Sequence, residues 1–401
     1  MNDQDNTFDI LAKTQFGLEE LLAAELQALG ATDIELLTRA VKYRGDKAML
    51  YRSNLHLRTA LKVLVPFTSF YAHHENQLYK RVRQIDWSRY LTPGHTLAID
   101  ATTNSDIFHH SKFTALKTKD AIVDQFRDRY GKRPSVDVEN PDFRLNVHIH
   151  DKLVTLSLDS SGTTLDRRGY RLSRTEAPMN EVLAAGIVML SGWQPDTPLL
   201  DLMCGSGTFS IEAAMLAANI APGKRRAFGF ERWKDFDAAL WSQLKAEAVR
   251  AEHRFDQRIR CSDIDPHAVE IAEQNARRAG VDRLIDFKTA DFFDEMPHSE
   301  GGTLLFNPPY GERLQESDIV GLYQEIGNHL KHDFANHTAW IISANAEALK
   351  HVGLRPTRRI KLYNGSLECR LQKFELFKGK QGERWKNKEV EDNTEAERLE
   401  E

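Results

Sequence analysis

The residues best equipped for chemistry stand together at Asn307-Pro308-Pro309-Tyr310. An amino group on a nucleobase or an amide is a poor nucleophile, because its lone pair is spread into the adjacent π system. Two acceptors aimed at its hydrogens favour a pyramidal nitrogen. The side-chain oxygen of Asn307 and a backbone carbonyl left free by the two prolines are such acceptors, held in place before reaction. Tyr310 offers a flat face on which a ring can stack. A proline-rich turn closed by an aromatic core residue carries the same four letters, so the tetrapeptide has to be weighed with what positions it.

The positioning begins with Thr303-Leu304-Leu305-Phe306, a short apolar run of the kind that forms a strand buried on both faces. Prolines cannot donate to a sheet ladder, so the chain leaves the sheet in a stiff, extended loop at Asn307. That places an amide and a phenol at the carboxyl end of a strand, where open α/β sheets have their ligand crevices.

From Ala177 onward strands and helices alternate, the pattern of a parallel doubly wound sheet. A helix over Asn180 to Ser191 leads to the strand Leu199 to Met203. Gly205 and Gly207 then make a tight turn with open backbone, and Ser206 or Thr208 starts the next helix, through Ala218. A nucleotide-bearing cofactor fits against such a turn. A dinucleotide is disfavoured, because Ser210 replaces the third glycine of that fingerprint and no acid closes a strand about twenty residues on.

After a polar and aromatic insertion from Ala221 to about Gln257, a second strand, Ile259 to Asp263, enters a helix at His267 to Ala279. An acid at that strand's end can take both hydroxyls of a ribose. Asp263 suits this role, and Asp265, just ahead of Pro266, suits a helix cap. A third strand, Ile285 to Thr289, ends at Asp291, a carboxylate able to hold an adenine amino group. Any one acid could be a mere cap. Three after successive strands, with a glycine turn first and Asn-Pro-Pro-Tyr fourth, resist that explanation. An amphipathic helix at Ile319 to Leu330, a strand at Ala339 to Ser343, and a hairpin through Asn364-Gly365 into Cys369 to Phe377 complete the sheet.

The first half is mixed α+β. Its predicted elements are a strand at Phe8 to Ala12, a helix at Gly17 to Leu29 stopped by Gly30, a strand at Ile34 to Leu37 and a helix at Met49 to Leu61. Further on come a strand at Leu97 to Thr102, a polar segment from Ser111 to Lys119, a helix at Asp120 to Tyr130, and strands at Leu145 to Ile149 and Val154 to Leu158. Nothing in it resembles a nucleophile, a base and an orienting group. It does carry Lys112, Lys117 and Lys119 among aromatic residues, suited to backbone phosphates, although Asp120, Asp124 and Asp128 allow a solvated helix face as well. Arg167, Arg168, Tyr170, Arg171 and Arg174 form a tighter cluster, suited to phosphate and base contacts or to pinning a domain junction.

Composition bounds the rest. At 401 residues the chain suits two or three domains. A net charge of -5 and a pI near 6.3 do not announce a nucleic-acid binder, so any such function needs a local basic patch. Cys204, Cys261 and Cys369 are far apart with no metal-ligand spacing, which points to no metal, no disulfide framework and a reducing cytosol. No apolar run is long enough to span a bilayer, and the polar start is not that of a signal peptide. The expected location is cytoplasmic. Residues 380–401 read as a polar, disordered tail.

Taken together, Asp201 to Thr208, Ser262 to Asp265, Ala290 to Phe292 and Asn307 to Tyr310 resemble the motifs of class I S-adenosylmethionine-dependent methyltransferases. With Arg168 to Arg171 and Ala177 to Ala184 ahead of them, the chain resembles the THUMP-domain RNA guanine-N2 methyltransferases, in particular the bacterial 23S ribosomal RNA type in its short form. Leu202 departs from the proline common after the acid, a conservative change at a strand end. The resemblance implies a ferredoxin-like module over 1–63, a THUMP RNA-binding domain over 64–160, a basic linker over 161–179 and a Rossmann-like methyltransferase domain over 180–379.

It also implies direct transfer from the sulfonium of S-adenosylmethionine to N2 of a guanine turned out of its helix. Asn307 and the Pro308 carbonyl would hold the amino group, in the loop completed by Pro309, and Tyr310 would stack on the base. The cofactor would lie among Asp201, Cys204, Gly205, Ser206, Gly207, Thr208, Phe209, Asp263, Ile264, Asp291 and Phe292. The RNA would be 23S ribosomal RNA or a ribosomal precursor. Transfer RNA, an adenine N6 or protein glutamine acceptor, a noncatalytic assembly factor and a nicotinamide oxidoreductase stand as competing readings. Intact acids and Asn-Pro-Pro-Tyr argue against the assembly factor, and the glycine pattern argues against the oxidoreductase.

Overall fold

The computed structural model describes residues 7–171, 179–309 and 316–377, leaving aside the side chains of residues 316 and 317. Tyr310, Arg174 and the polar tail of 380–401 therefore lie outside the described residues. The chain forms two compact units. One contains the described residues up to 171 together with 180–186 and 215–254, and the other contains Met179, 187–214 and 255–377.

The first unit is built on an eight-stranded sheet of β1 (Phe8–Thr14), β2 (Thr32–Leu37), β3 (Ala40–Gly45), β4 (Ala60–Tyr71), β5 (Thr96–Asn104), β6 (Ser135–Val136), β7 (Phe143–His150) and β8 (Leu153–Asp159). Their order is β2-β3-β1-β4-β8-β7-β5-β6. The 12-residue β4 joins the two halves, pairing with β1 through its start and with β8 through the rest. Its register shifts between Pro66 and Thr68, where a proline without an N–H is tolerated inside a sheet.

Helices α1 (Glu19–Ala28), α2 (Lys47–His56), α3 (Glu75–Gln84) and α4 (Ser111–Tyr130) complete its first 171 residues. Two of these differ from the expected bounds, and α3 was not among the expected elements. The helix predicted to reach Leu61 stops at His56, because the carboxylate of Glu25 takes the N–H groups of Arg58 at 2.7 Å and Thr59 at 3.0 Å. With those donors captured, the chain turns extended and starts β4. The segment from Ser111 to Lys119, expected to be a polar lead-in, is the first half of α4. Thr114 and Thr118 are buried on the stripe that continues through Ala121, Ile122 and Phe126, and Thr118 satisfies its hydroxyl on the Thr114 carbonyl at 2.9 Å.

The second unit holds a seven-stranded sheet of β9 (Leu199–Asp201), β10 (Ile259–Asp263), β11 (Ile285–Thr289), β12 (Gly302–Phe306), β13 (His337–Ser343), β14 (Arg358–Asn364) and β15 (Leu367–Glu375). The order β11-β10-β9-β12-β13-β15-β14 makes the first five parallel, with β15 antiparallel to both of its neighbours. Gly365 turns the β14–β15 hairpin at φ +65. The remaining helices of the chain are α5 (Glu181–Leu190), α6 (Thr208–Ala217), α7 (Ala238–Arg250), α8 (Pro266–Ala279) and α9 (Glu316–Asp333). Leu304, Phe306, Leu200, Tyr323 and Ile326 belong to one buried cluster that anchors β12 and β9 at the centre of this sheet. Connections from β9 and β12 lead to opposite sides, so a crevice opens at their carboxyl ends.

Candidate functional site

That crevice is a cavity of about 500 Å³, and every strand from β9 to β12 delivers residues to it. After β9 the chain makes a turn locked by backbone bonds, with the Cys204 N–H on the Ser262 carbonyl at 3.0 Å and the Gly207 N–H on the Cys204 carbonyl at 2.9 Å. Gly205 and Gly207 have φ of +53 and +75, which L side chains rarely adopt. A Cβ on Gly207 would stand 2.8 Å from the Ala272 Cβ of α8, whereas one on Gly205 would meet nothing within 4 Å. Close helix packing requires the second glycine, and open space lies beside the first.

The acids follow in order. Asp263, at the end of β10, accepts the Gly205 N–H at 2.8 Å on one oxygen and the Asp265 N–H at 3.0 Å on the other. Each of those oxygens keeps a lone pair for a further donor. Asp265 caps α8 through the His267 N–H at 2.9 Å, ahead of Pro266. Asp291 accepts the Phe293 N–H at 3.0 Å and caps the short turn that follows β11. The side chain of Asn307, after β12, is part-buried. Its Oδ1 is fully buried and has no hydrogen-bond partner among the described residues. An amide oxygen removed from water without a donor is costly, and the cavity it lines is where a donor can arrive.

Two titratable groups are shaped by burial here. Desolvation pushes the Asp201 carboxyl up to about 7, against two hydrogen bonds from Ser210 and with the charge of Asp263 adding to the rise. The Cys261 thiol beside it, together with burial, holds the Cys204 thiol well above its ordinary range, so Cys204 is no thiolate nucleophile.

Of the residues expected to hold a cofactor, Cys204 to Gly205, Ser206, Thr208, Phe209, Asp263, Ile264, Asp291 and Phe292 line the cavity, as do Asn307, Pro308 and Pro309. Gly207 packs behind the turn, and Asp201 is buried beneath it, bonded to Ser210. Asn275 is a residue that sequence reasoning missed. Buried on α8, it donates to the Ser206 carbonyl at 3.2 Å and braces the turn. An amide on the otherwise apolar stripe of Ala268, Ala272, Ala276 and Ala279 was its only signal.

The cationic residues lie in the first unit and divide sharply. Lys112 and Arg167 are exposed. Lys117 sits 5.4 Å from the centre of the Tyr79 ring, and Lys119 pairs with Asp120 at 2.6 Å. Arg168 and Tyr170 correct the expectation of RNA contact. Both are buried, and the Arg168 guanidinium donates to the carbonyls of Leu165 at 2.9 Å and Arg58 at 2.5 Å. Arg171 is paired with Glu181 at 2.8 Å. Arginine's planar fork suits it to satisfying several buried carbonyls, so much of this cluster pins the fold. Among the described residues no group of three or more His, Cys, Asp or Glu is placed to hold a metal, and no helix is long and apolar enough to cross a membrane.

Three domain families match the chain. Residues 168–373 match the RMKL-like methyltransferase domain, residues 72–159 the THUMP domain and residues 9–64 the RlmL ferredoxin-like domain. A Synechocystis protein whose name proposes RNA methyltransferase activity is 42% identical over 364 residues, covering 90% of this chain and 95% of that one. The ribosomal RNA large subunit methyltransferase K/L of Syntrophotalea carbinolica is 42% identical over 374 residues, covering 90% of this chain and 52% of that protein, so the chain spans about half of that relative's length. The crystal structure of SMU.472, whose name proposes a methyltransferase and which was solved with SAH, superposes with a TM-score of 0.83 at 32% identity, over 94% of this chain and 100% of that one.

Proposed function

The chain belongs to the RMKL-like methyltransferase family, with RlmL ferredoxin-like and THUMP domains ahead of the catalytic one, and from that premise we propose that it methylates the exocyclic N2 of a guanine in 23S ribosomal RNA. Its class is that of an S-adenosylmethionine-dependent RNA methyltransferase. The observation that carries the N2 reading is the buried Oδ1 of Asn307 at the cavity's edge, without a partner among the described residues.

The residues present fit the cofactor. Asp263 retains acceptor capacity for the ribose hydroxyls, Asp291 stands after the neighbouring strand for the adenine amino group, and the open side of Gly205 leaves room for the methionine part. When bound, S-adenosylmethionine supplies an electrophilic methyl on its sulfonium. Asn307 Oδ1 and the Pro308 carbonyl accept the two amino hydrogens of an extruded guanine, drawing the nitrogen lone pair out of conjugation. Tyr310, outside the described residues, is assigned by the family resemblance to stack on the base. The amine becomes acidic only as the new bond forms, so water can take the proton and no strong general base is needed. Of the described cations expected to meet RNA, Lys112 and Arg167 are the exposed ones, open to its phosphates. The proposal places this activity in the cytoplasm.

The test is transfer from labelled S-adenosylmethionine to total RNA, followed by digestion and identification of the methylated nucleoside. N2-methylguanosine in the large ribosomal RNA is the expected product. N2-methylguanosine in transfer RNA would keep the chemistry and move the substrate. N6-methyladenosine, or label only in protein, would overturn the assignment of the acceptor.

A further inference from the structure

A second cleft lies wholly within the first unit, among Phe8, Tyr51, Val65, Tyr90, Phe143 and Trp233, with a volume of about 280 Å³. Two aromatic clusters approach it. Tyr51 stacks on Phe230 at 4.2 Å between ring centres and meets Trp241 at 6.0 Å, while Tyr90 meets Phe67 at 5.3 Å and Phe143 at 6.0 Å. Among the described residues no ring contact joins one cluster to the other. Apolar surfaces this close ordinarily collapse together. Here two lysines strap the walls: Lys47 reaches the Asp235 carbonyl at 2.6 Å, and Lys234 reaches the carbonyls of Ser88 at 2.7 Å and Leu91 at 3.0 Å. A preformed aromatic cleft near the size of small-ligand sites is the result.

Its charge is as specific as its walls. The charged lining residues are Lys47, Arg89, Lys234 and Asp235, three cations against one acid. Arg89 is the least committed of them, with its side chain 78% exposed and its nearest acid, Asp86, at 3.9 Å while Asp86 pairs with Arg129 at 2.8 Å. Flat aromatic faces inside and spare positive charge at the lip suit a planar, anionic ligand. We propose that this cleft holds one unpaired nucleotide of the RNA substrate, its base against Tyr90 and Trp233 and its phosphate at Arg89. The inference rests on the reading of the chain as an RNA-acting enzyme. It adds a contact in the unit that does not hold the cofactor crevice, one that favours RNA carrying an unpaired nucleotide.

The probe is a labelled single-stranded oligouridylate of about ten nucleotides, titrated into the full chain by anisotropy and by tryptophan fluorescence. A base on the indole quenches it, so quenching is expected in the wild type and is expected to shrink in Trp233→Phe. Val65→Phe, which fills the cleft, should weaken the oligonucleotide about tenfold, the loss of one stacked base, and Arg89→Glu, which removes the phosphate contact, should weaken it about as much, with Arg89→Lys restoring most of the loss. Circular dichroism and thermal melting report whether each variant is folded. Binding within twofold of wild type in both Arg89→Glu and Val65→Phe, with quenching unchanged in Trp233→Phe, would overturn the cleft. Absence of methyl transfer with these responses intact would overturn the enzymatic proposal alone.

Discussion

The Asp263 carboxylate accepts the Gly205 N–H at 2.8 Å, tying the turn after β9 to the end of β10 across 58 positions of sequence. One side chain thus shapes the glycine turn and faces the cavity beside it. Asp263→Ala should weaken S-adenosylhomocysteine about 100-fold, as expected when charged hydrogen bonds worth about 1.5–3 kcal/mol each are lost. Calorimetric titration reads this directly, and an affinity within threefold of wild type would remove Asp263 from the cofactor site.

Asn307→Ala should lower kcat for methyl transfer at least about 100-fold, the scale of removing one preorganised group at a reacting centre. Cofactor affinity should stay near normal. Equal losses of transfer and of cofactor binding would refute the acceptor role assigned to its orphaned oxygen.

The two glycines of the turn should fail differently. Gly207→Ala forces its Cβ to 2.8 Å from Ala272 and should cost about 1–3 kcal/mol of stability by overpacking. Gly205→Ala bears the strain of an L side chain at φ +53 but meets only open space, so it should melt above Gly207→Ala and, with a methyl in the cofactor's room, bind cofactor poorly. Thermal melts and cofactor titrations that rank the two variants the same way would contradict this division.

Asp201 gives a pH dependence whose sign is set by its burial. Its folded pKa is raised from 3.8 to about 7, so the neutral form is the favoured one in the native protein. The stability contributed by that neutral carboxyl is complete below the unfolded value and is lost as pH rises through about 7. Wild type should therefore lose more unfolding free energy than Asp201→Asn between about pH 5 and about pH 9. Parallel urea midpoints across that range would show that Asp201 does not titrate as described.

Arg168→Met should destabilise the first unit by about 2–5 kcal/mol, because it leaves the Leu165 and Arg58 carbonyls without their donor. Arg167→Ala, at an exposed position next to it, should leave the melting temperature unchanged and weaken RNA binding. The reverse pattern would restore Arg168 to the RNA surface.

Legibility followed the range of the forces involved. Strand ends with their acids, the glycine turn, the Asp265-Pro266 cap and the proline stop after Phe306 are local chemistry, and residues 199–218 and 259–309 could be read almost element by element for that reason, whereas α7 lay unread in the insertion between them. Where a distant partner decides, reading along the chain fails. Glu25 captures the N–H groups of Arg58 and Thr59 and turns a predicted helix into β4. Thr114 and Thr118 look polar and are buried.

By itself the sequence determined the order of the catalytic sheet's chemistry, because turn type, capping and burial period act over a few residues. Only the tertiary structure decided which cations remain in solvent, that Asn275 braces the glycine turn, that Asn307 Oδ1 has no partner among the described residues, and that two aromatic clusters are held apart over a second cleft. Each depends on groups tens or hundreds of residues apart competing for the same donors, the same carbonyls and the same buried volume.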